Sequence, residues 1–383
     1  MCRKYIYTLF FLFAAARLWG ITLKVGIFSA STLHSVILSS SVGSYEVYGD
    51  GFKIYTLAAD NFLQLSVENE KIVVKNFSTG FGEYNTLNII GVNGDDRAFR
   101  VKPVDPSSEG VTFPDNLRVG VSRSSLRLVN FAEIEHYVPG VVEAETGNCP
   151  SPEFLKVQSI IVRTYALSNL KRHQDEGFDL CDQVHCQVYR GLPRFNMLAV
   201  AAAAATRSLM LMDENSRPVT AAFHSNCGGH TANSEDVWTS SLPYLRSVND
   251  SFCTSQPHAN WEKYIPMEEW KNYIERRTFS DNDDAPDSYD TFGNERQKFY
   301  TYNGVNIPMK TLRHDWGLRS SYFSIIELND SILIRGKGYG HGVGLCQEGA
   351  MRMSDMGYSY TDIIRFYYRN VSLAVMDTLK ITE

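Results

Sequence analysis

A chain of 383 residues has room for one large domain or two ordinary ones. With 44% apolar and 21% charged residues it has globular composition, which excludes a long disordered tail. A net charge of −6 argues against a general nucleic-acid binder.

The chain opens with Arg3 and Lys4 ahead of an apolar run, Tyr5 to Ala16, which Arg17 ends. Ala14 and Ala16 supply a small-x-small cleavage site, so residues 1–20 read as a secretory signal peptide. The run is too short for a bilayer span, which needs about 20 residues. The expected location is therefore outside the cytoplasm, in the periplasm or cell envelope. Of seven cysteines, Cys2 precedes the apolar run, and six would survive processing.

Residues 21–116 form a strand-rich region. Short β-branched and aromatic runs at Ile21–Phe28, Phe52–Leu57, Leu63–Val67, Lys71–Val74 and Tyr84–Ile90 are separated by Gly, Asn and Asp. Leu117–Val121 and Leu126–Val129 continue the pattern, with the polar Ser122 to Ser125 as a hairpin loop. Tyr137 to Glu145 reads as a loop that delivers a carboxylate just before a helix. That helix starts at Ser151 as N-cap and Pro152 as first residue, and runs to about Arg172. The Ala-rich Leu198–Leu209 is a second helix. Residues 276–292 are polar and acidic and read as an insertion. Ile332–Arg335 is a strand leading into a Gly-rich loop, followed by helices at Cys346–Ser354 and Thr361–Arg369. The pattern is α+β.

Glu145 has apolar neighbours, and burial of a carboxylate favours its neutral, proton-donating form. Glu143, two residues earlier, would share its side of an extended segment, and a genuine pair would permit hydrolysis. A peripheral charge is the reading preferred for Glu143. Lys156 and Arg163 are seven apart and so point the same way from one helix. They suit binding of acidic or hydroxyl-rich ligands, orientation of Glu145, or a solvated face. His173, Cys181, His185 and Cys186 offer four N and S ligands for a tetrahedral Zn²⁺, with a turn needed at His185-Cys186. A Cys181–Cys186 disulfide is the alternative. The Gly-rich stretch from Gly336 to Gly349 lacks the nucleotide-binding spacings, which leaves a turn that lets His341 line a groove, with Gln347 on the next helix.

Four blocks together resemble the SpoIID/LytB family. They are Glu145 to Leu167, Asp182 to Gly191 (Asp-Gln-Val-His-Cys-Gln-Val-Tyr-Arg-Gly), Phe223 to Thr231 (Phe-His-Ser-Asn-Cys-Gly-Gly-His-Thr), and Gly338 to Ala350. Leu312 to Phe323 also fits, and the resemblance spans about residues 117–372. It implies a SpoIID-type catalytic domain over 117–383 behind a β-rich N-terminal portion. It also implies a peptidoglycan lytic transglycosylase that cleaves MurNAc–GlcNAc bonds in peptide-stripped strands, with formation of 1,6-anhydroMurNAc.

Carried over by position, Glu145 is the acid/base. Lys156, Arg163, His224, Ser225, His341 and Gln347 are the substrate-binding candidates. Some members of the family hold a metal at the Cys-x-x-x-His-Cys block, which implies a structural zinc on His173, Cys181, His185 and Cys186. The implied partners are glycan strands and an N-acetylmuramoyl-L-alanine amidase, in wall remodelling, division or sporulation. Relatives named LytB leave a second reading, a non-catalytic amidase enhancer that binds peptidoglycan; a zinc hydrolase is a third. The chain departs from the family pattern at Glu143 (usually proline), Thr146 (methionine), Cys227 and Cys346 (serine), and Glu348 (tyrosine).

Overall fold

The computed structural model describes residues 20–92, 94, 97–277, 288–291 and 295–376. The expected signal peptide lies outside these except for Gly20, and most of the expected insertion at 276–292 is also outside. No helix among the described residues is long and apolar enough to cross a membrane.

Twelve strands come first: β1 (Thr22–Ile27), β2 (Ser35–Val42), β3 (Ser44–Gly49), β4 (Phe52–Leu57), β5 (Phe62–Glu68), β6 (Lys71–Lys75), β7 (Gly80–Tyr84), β8 (Thr86–Val92), β9 (Ala98–Asp105), β10 (Val111–Pro114), β11 (Asn116–Ser122) and β12 (Ser125–Glu133). Helix α1 (Ile134–Thr146), helix α2 (Pro152–Ser168), the short strand β13 (Leu180–Cys181) and helix α3 (Met197–Ala205) follow. One sheet has the order β13-β1-β12-β11-β8-β3-β4 and a second β10-β9-β2-β5-β6-β7. Alternation along the strands is regular: in β3 the residues Tyr45 and Val47 are buried and their neighbours are not. The inward residues of both sheets join one core, which continues under α1 and α2.

The β11–β12 hairpin turns on Arg123 and Ser124, both at positive φ (51° and 58°). Two such residues make the tight turn whose twist matches the flanking strands. The expected boundary at 116/117 falls within the first sheet. β12 pairs with β1 along Thr22–Ile27, and β11 pairs with β8, so the first sheet is built from both sides of that boundary.

A second, smaller core lies between residues 261 and 334. It is formed by the sheet of Asn260–Pro266, Ser331–Lys337 and Phe323–Glu327, the hairpin Phe299–Tyr302/Val305–Pro308, and the helices Met267–Glu275 and Met309–Asp315. Strands and helices together bear out the α+β class. The expected helices at 198–209, 346–354 and 361–369 are present as Met197–Ala205, Gln347–Asp355 and Tyr360–Tyr367.

The segment read as a loop before Glu145 is helical instead. α1 spans Ile134–Thr146 with Pro139 inside it. Gly140 is required there by packing, because a Cβ would stand 2.0 Å from the Gly191 carbonyl oxygen. Ser151 does sit at the N-cap position of α2, but its hydroxyl donates to Asp355 Oδ1 (2.8 Å) rather than capping backbone N–H groups.

Candidate functional site

A cavity of about 780 Å³ opens where α1, the loop after β13, the loop after the strand Phe223–His224 and the Gly-rich loop meet. That volume is in the range of small-ligand sites. Its lining includes Glu145, His224, Ser225, His341 and Gln347, so five of the seven residues expected at the groove come together. The parallel pairing of His224 with Cys346 sets the two loops side by side.

Glu145 lies in the last turn of α1. Its Oε1 accepts the Val188 backbone N–H at 2.8 Å, and among the described residues Oε2 has no hydrogen-bond partner. Burial raises its pKa, while the Val188 bond and the charge of Arg190 oppose this only in part. A carboxyl with one anchored oxygen and one open to a cavity can carry and release a proton.

Glu143 corrects the expectation of a peripheral charge. It is buried, and it accepts the backbone N–H groups of Arg194 (2.8 Å), Phe195 (2.9 Å) and Asn196 (2.7 Å). These donors stand just before α3, where a carboxylate answers unpaired N–H groups and the helix dipole. Two residues along a helix differ by about 200° in direction, so Glu143 and Glu145 point apart. Among the described residues, Glu145 is the one carboxylate lining the cavity.

Two expected groove residues are elsewhere. Arg163 is fully buried in α2 and clamps Glu135 of α1 through Nε (2.9 Å) and Nη2 (2.7 Å), with Nη1 on the Leu209 carbonyl (2.9 Å). Lys156 is half-buried, paired with Glu153 (2.6 Å) and lying over the Tyr360 ring. Neither lines the cavity. Arg163 fixes α1 against α2, which positions Glu145 from behind.

The two cavity histidines are held neutral. His224 Nδ1 bonds the Val343 carbonyl at 3.1 Å, while its buried Nε2 has no partner among the described residues. Burial pushes its pKa well below the ordinary range. His341 Nδ1 accepts the Val343 N–H (3.0 Å), and burial with the nearby Arg313 charge lowers its pKa to about 4. Gln347 Nε2 is likewise buried and without a partner among the described residues. Polar atoms in this position can bond a molecule or a water that enters the cavity. Sequence reasoning assigned no role to Arg313, Tyr165, Asn169, Trp238 or Tyr339, which also line the cavity. Trp238 and Tyr339 offer ring faces, and Trp238 lies 5.5 Å from the His341 ring. The matching of Leu312 to Phe323 with the family pattern was the available signal for Arg313.

His173, Cys181, His185 and Cys186 come together, with one ligand atom from each within 4.8 Å of all the others. β1 holds β13 and therefore Cys181 (Gly26 pairs with Cys181), and a turn at Val184-His185 brings His185 and Cys186 round. Cys186 Sγ is 3.4 Å from His173 Nε2 and 3.8 Å from His185 Nδ1. His173 Nδ1 bonds Glu176 (2.5 Å), which leaves Nε2 facing the sulfurs, as a metal-binding imidazole requires. Both cysteines are free. The donor set fits Zn²⁺, and His185 and Cys186 also border the cavity.

The family described as "SpoIID: Stage II sporulation protein" matches residues 122–213, which include Glu145 and the His/Cys cluster. The chain is 31% identical over 292 residues to the stage II sporulation protein D of Bacillus amyloliquefaciens, covering 68% of this chain and 79% of that one. To the protein of the same name from Bacillus subtilis (strain 168) it is 26% identical, covering 75% and 87%. To a protein named amidase enhancer from Bacillus subtilis (strain 168) it is 28% identical, covering 61% of this chain and 40% of the other. The chain belongs to the stage II sporulation protein D family.

Proposed function

We propose that the protein acts outside the cytoplasm on cell-wall peptidoglycan as a lytic transglycosylase, with Glu145 as its single acid/base. The family and the amidase-enhancer relative support a role at the cell wall. The observation that carries the finer reading is that Glu145 is the one carboxylate lining the cavity among the described residues. Hydrolytic glycosidases need a second carboxylate to activate water or to attack the sugar. A sugar whose own 6-hydroxyl attacks needs only one.

The chemistry follows from the surroundings of Glu145. Burial favours its protonated form, and from that form it gives its proton to the glycosidic oxygen as the bond to the anomeric carbon breaks. The resulting carboxylate, steadied by the Val188 N–H, takes the proton of the 6-hydroxyl as that oxygen closes on the anomeric carbon. The intramolecular nucleophile brings a high effective concentration. His224, His341 and Gln347 supply neutral hydrogen-bonding groups for hydroxyl-rich rings, and Trp238 and Tyr339 supply apolar faces. When bound by His173, Cys181, His185 and Cys186, zinc would stiffen the adjoining wall, a structural role with all four positions filled by protein.

Purified glycan, stripped of stem peptides by an amidase, is the substrate for the test. Wild type is expected to release anhydro-ended fragments by mass spectrometry, and Glu145→Gln is not. Reducing ends in place of anhydro ends would replace this reading with hydrolysis. Glycan binding without turnover, together with faster cleavage by an added amidase, would make the chain an amidase enhancer.

A further inference from the structure

A second set of metal-type donors lies beneath the cavity floor and takes no part in the chemistry above. Cys227, Asp250, Cys253 and Cys346 are all fully buried, and one ligand atom from each lies within 4.8 Å of the rest. Cys227 follows the strand Phe223–His224, Asp250 caps and Cys253 ends a single 3₁₀ turn, and Cys346 precedes the helix Gln347–Asp355. Three segments distant in sequence thus converge on one point. Cys227 and Cys346 are also two of the departures from the family pattern.

From this convergence we infer a second, structural metal site of the zinc class, Cys₃Asp, formed by Cys227, Asp250, Cys253 and Cys346. Three observations support it. First, the spacing suits a shared ion. Cys227 Sγ is 3.3 Å from Cys253 Sγ and 3.3 Å from Asp250 Oδ2. Sulfurs about 2.3 Å from a tetrahedral zinc would stand roughly 3.7 Å apart, a small adjustment, whereas a disulfide needs about 2.05 Å.

Second, the sulfurs receive backbone donors. Cys227 N–H points to Cys346 Sγ and Gly229 N–H to Cys253 Sγ, both at 3.3 Å. Backbone N–H groups aimed at sulfur are the outer-shell contacts that metal-bound cysteines accept. Third, the Asp250 carboxylate is buried without a cationic side chain bonded to it among the described residues. Its partners are Tyr367 Oη (2.8 Å), Phe252 N–H (3.0 Å) and the Cys227 thiol. Buried carboxylates are paired with a cation or coordinate a metal. Three thiolates and a carboxylate around Zn²⁺ leave excess negative charge. The half-buried Arg296 stands close by, with Nη2 on the Cys227 carbonyl and Nε on the His230 carbonyl, both at 2.7 Å.

The ion would tie the loop carrying His224 and Ser225 to the helix start carrying Gln347. Binding releases the protons of the coordinating thiols and changes no oxidation state. The inference is independent of the proposed glycan chemistry.

The test uses the full chain purified without chelators, with zinc content read by elemental analysis and native mass spectrometry. Cys181→Ser/Cys186→Ser removes the first cluster and should retain one zinc per chain. Adding Cys253→Ser should take that to none. In wild type, thiol alkylation mapped by peptide mass should leave Cys227, Cys253 and Cys346 unmodified until a chelator is added, and then label all three. This measurement decides the matter even if the triple variant fails to fold. Zinc that disappears wholly with Cys181→Ser/Cys186→Ser, labelling that a chelator does not change, or two of the three sulfurs recovered as a disulfide would each overturn the site.

Discussion

The two sides of α1 present the same residue type to opposite surroundings. Glu143 faces inward and is closed off by three backbone N–H groups, so its charge is matched and its geometry fixed. Glu145 faces the cavity with one N–H on one oxygen, and desolvation raises its pKa. A carboxylate with all its donors met is scaffold, and one with too few is left able to exchange a proton. The difference lies in what the helix packs against, since sequence spacing places the two only two residues apart.

Breaking the open side should have the largest effect. Glu145→Gln keeps an oxygen for Val188 but cannot give a proton, and turnover of peptide-stripped glycan should fall by about 10³-fold, as expected for loss of a general acid. The pH dependence sharpens this. The acid must be protonated, so the wild-type rate should decline as pH rises through the raised pKa of Glu145. The same group bears on stability with a defined sign. Its folded pKa lies above the unfolded value of about 4.3, so the buried charge costs stability once pH exceeds that value. The cost is complete above the folded pKa. Glu145→Gln should therefore melt slightly higher than wild type at pH 8 and show no advantage at pH 4, by calorimetry.

Breaking the closed side should act on folding. Arg163→Met strands Glu135 in the interior and should cost roughly 3–5 kcal/mol in denaturant unfolding. Glu143→Ala leaves buried N–H groups before α3 unpaired and should cost about 2–3 kcal/mol, with activity lost only in proportion to unfolded protein. The smallest effect belongs to Lys156→Met, which loses a partly exposed ion pair worth at most about 1 kcal/mol. Its turnover should match wild type; a large loss of turnover would return Lys156 to the groove.

Much of this was legible in the chain. Alternation gave β4 with its bounds and most of β1, β5, β6, β8, β11 and β12, and the Pro152 start of α2 was read correctly. The four family blocks named five residues that share the cavity. What the sequence obscured has physical causes. Pro139 and Gly140 broke the helical pattern of α1, yet Gly140 is needed for contact with the Gly191 carbonyl. With α1 taken as extended, Glu143 and Glu145 fell on one side, when a helix sends them apart. Lys156 and Arg163 do share a helix, but spacing cannot tell an inward arginine matched by a distant Glu135 from one facing a ligand. Asp250 and Cys253 lie in no recognised block, and only the folded chain brings them to Cys227 and Cys346.

The contact at Gly140 has one more consequence. Gly191, against which it rests, is itself pressed on the carbonyl of Thr112 in β10, where an added Cβ would sit 2.1 Å away. The N-terminal strands, this loop and the acid-bearing helix therefore stack with no room for a methyl group between them. The β-rich half is a datum surface from which the height of Glu145 is set, and a single-carbon shim at either glycine should shift that carboxyl within the cavity without touching the other lining residues.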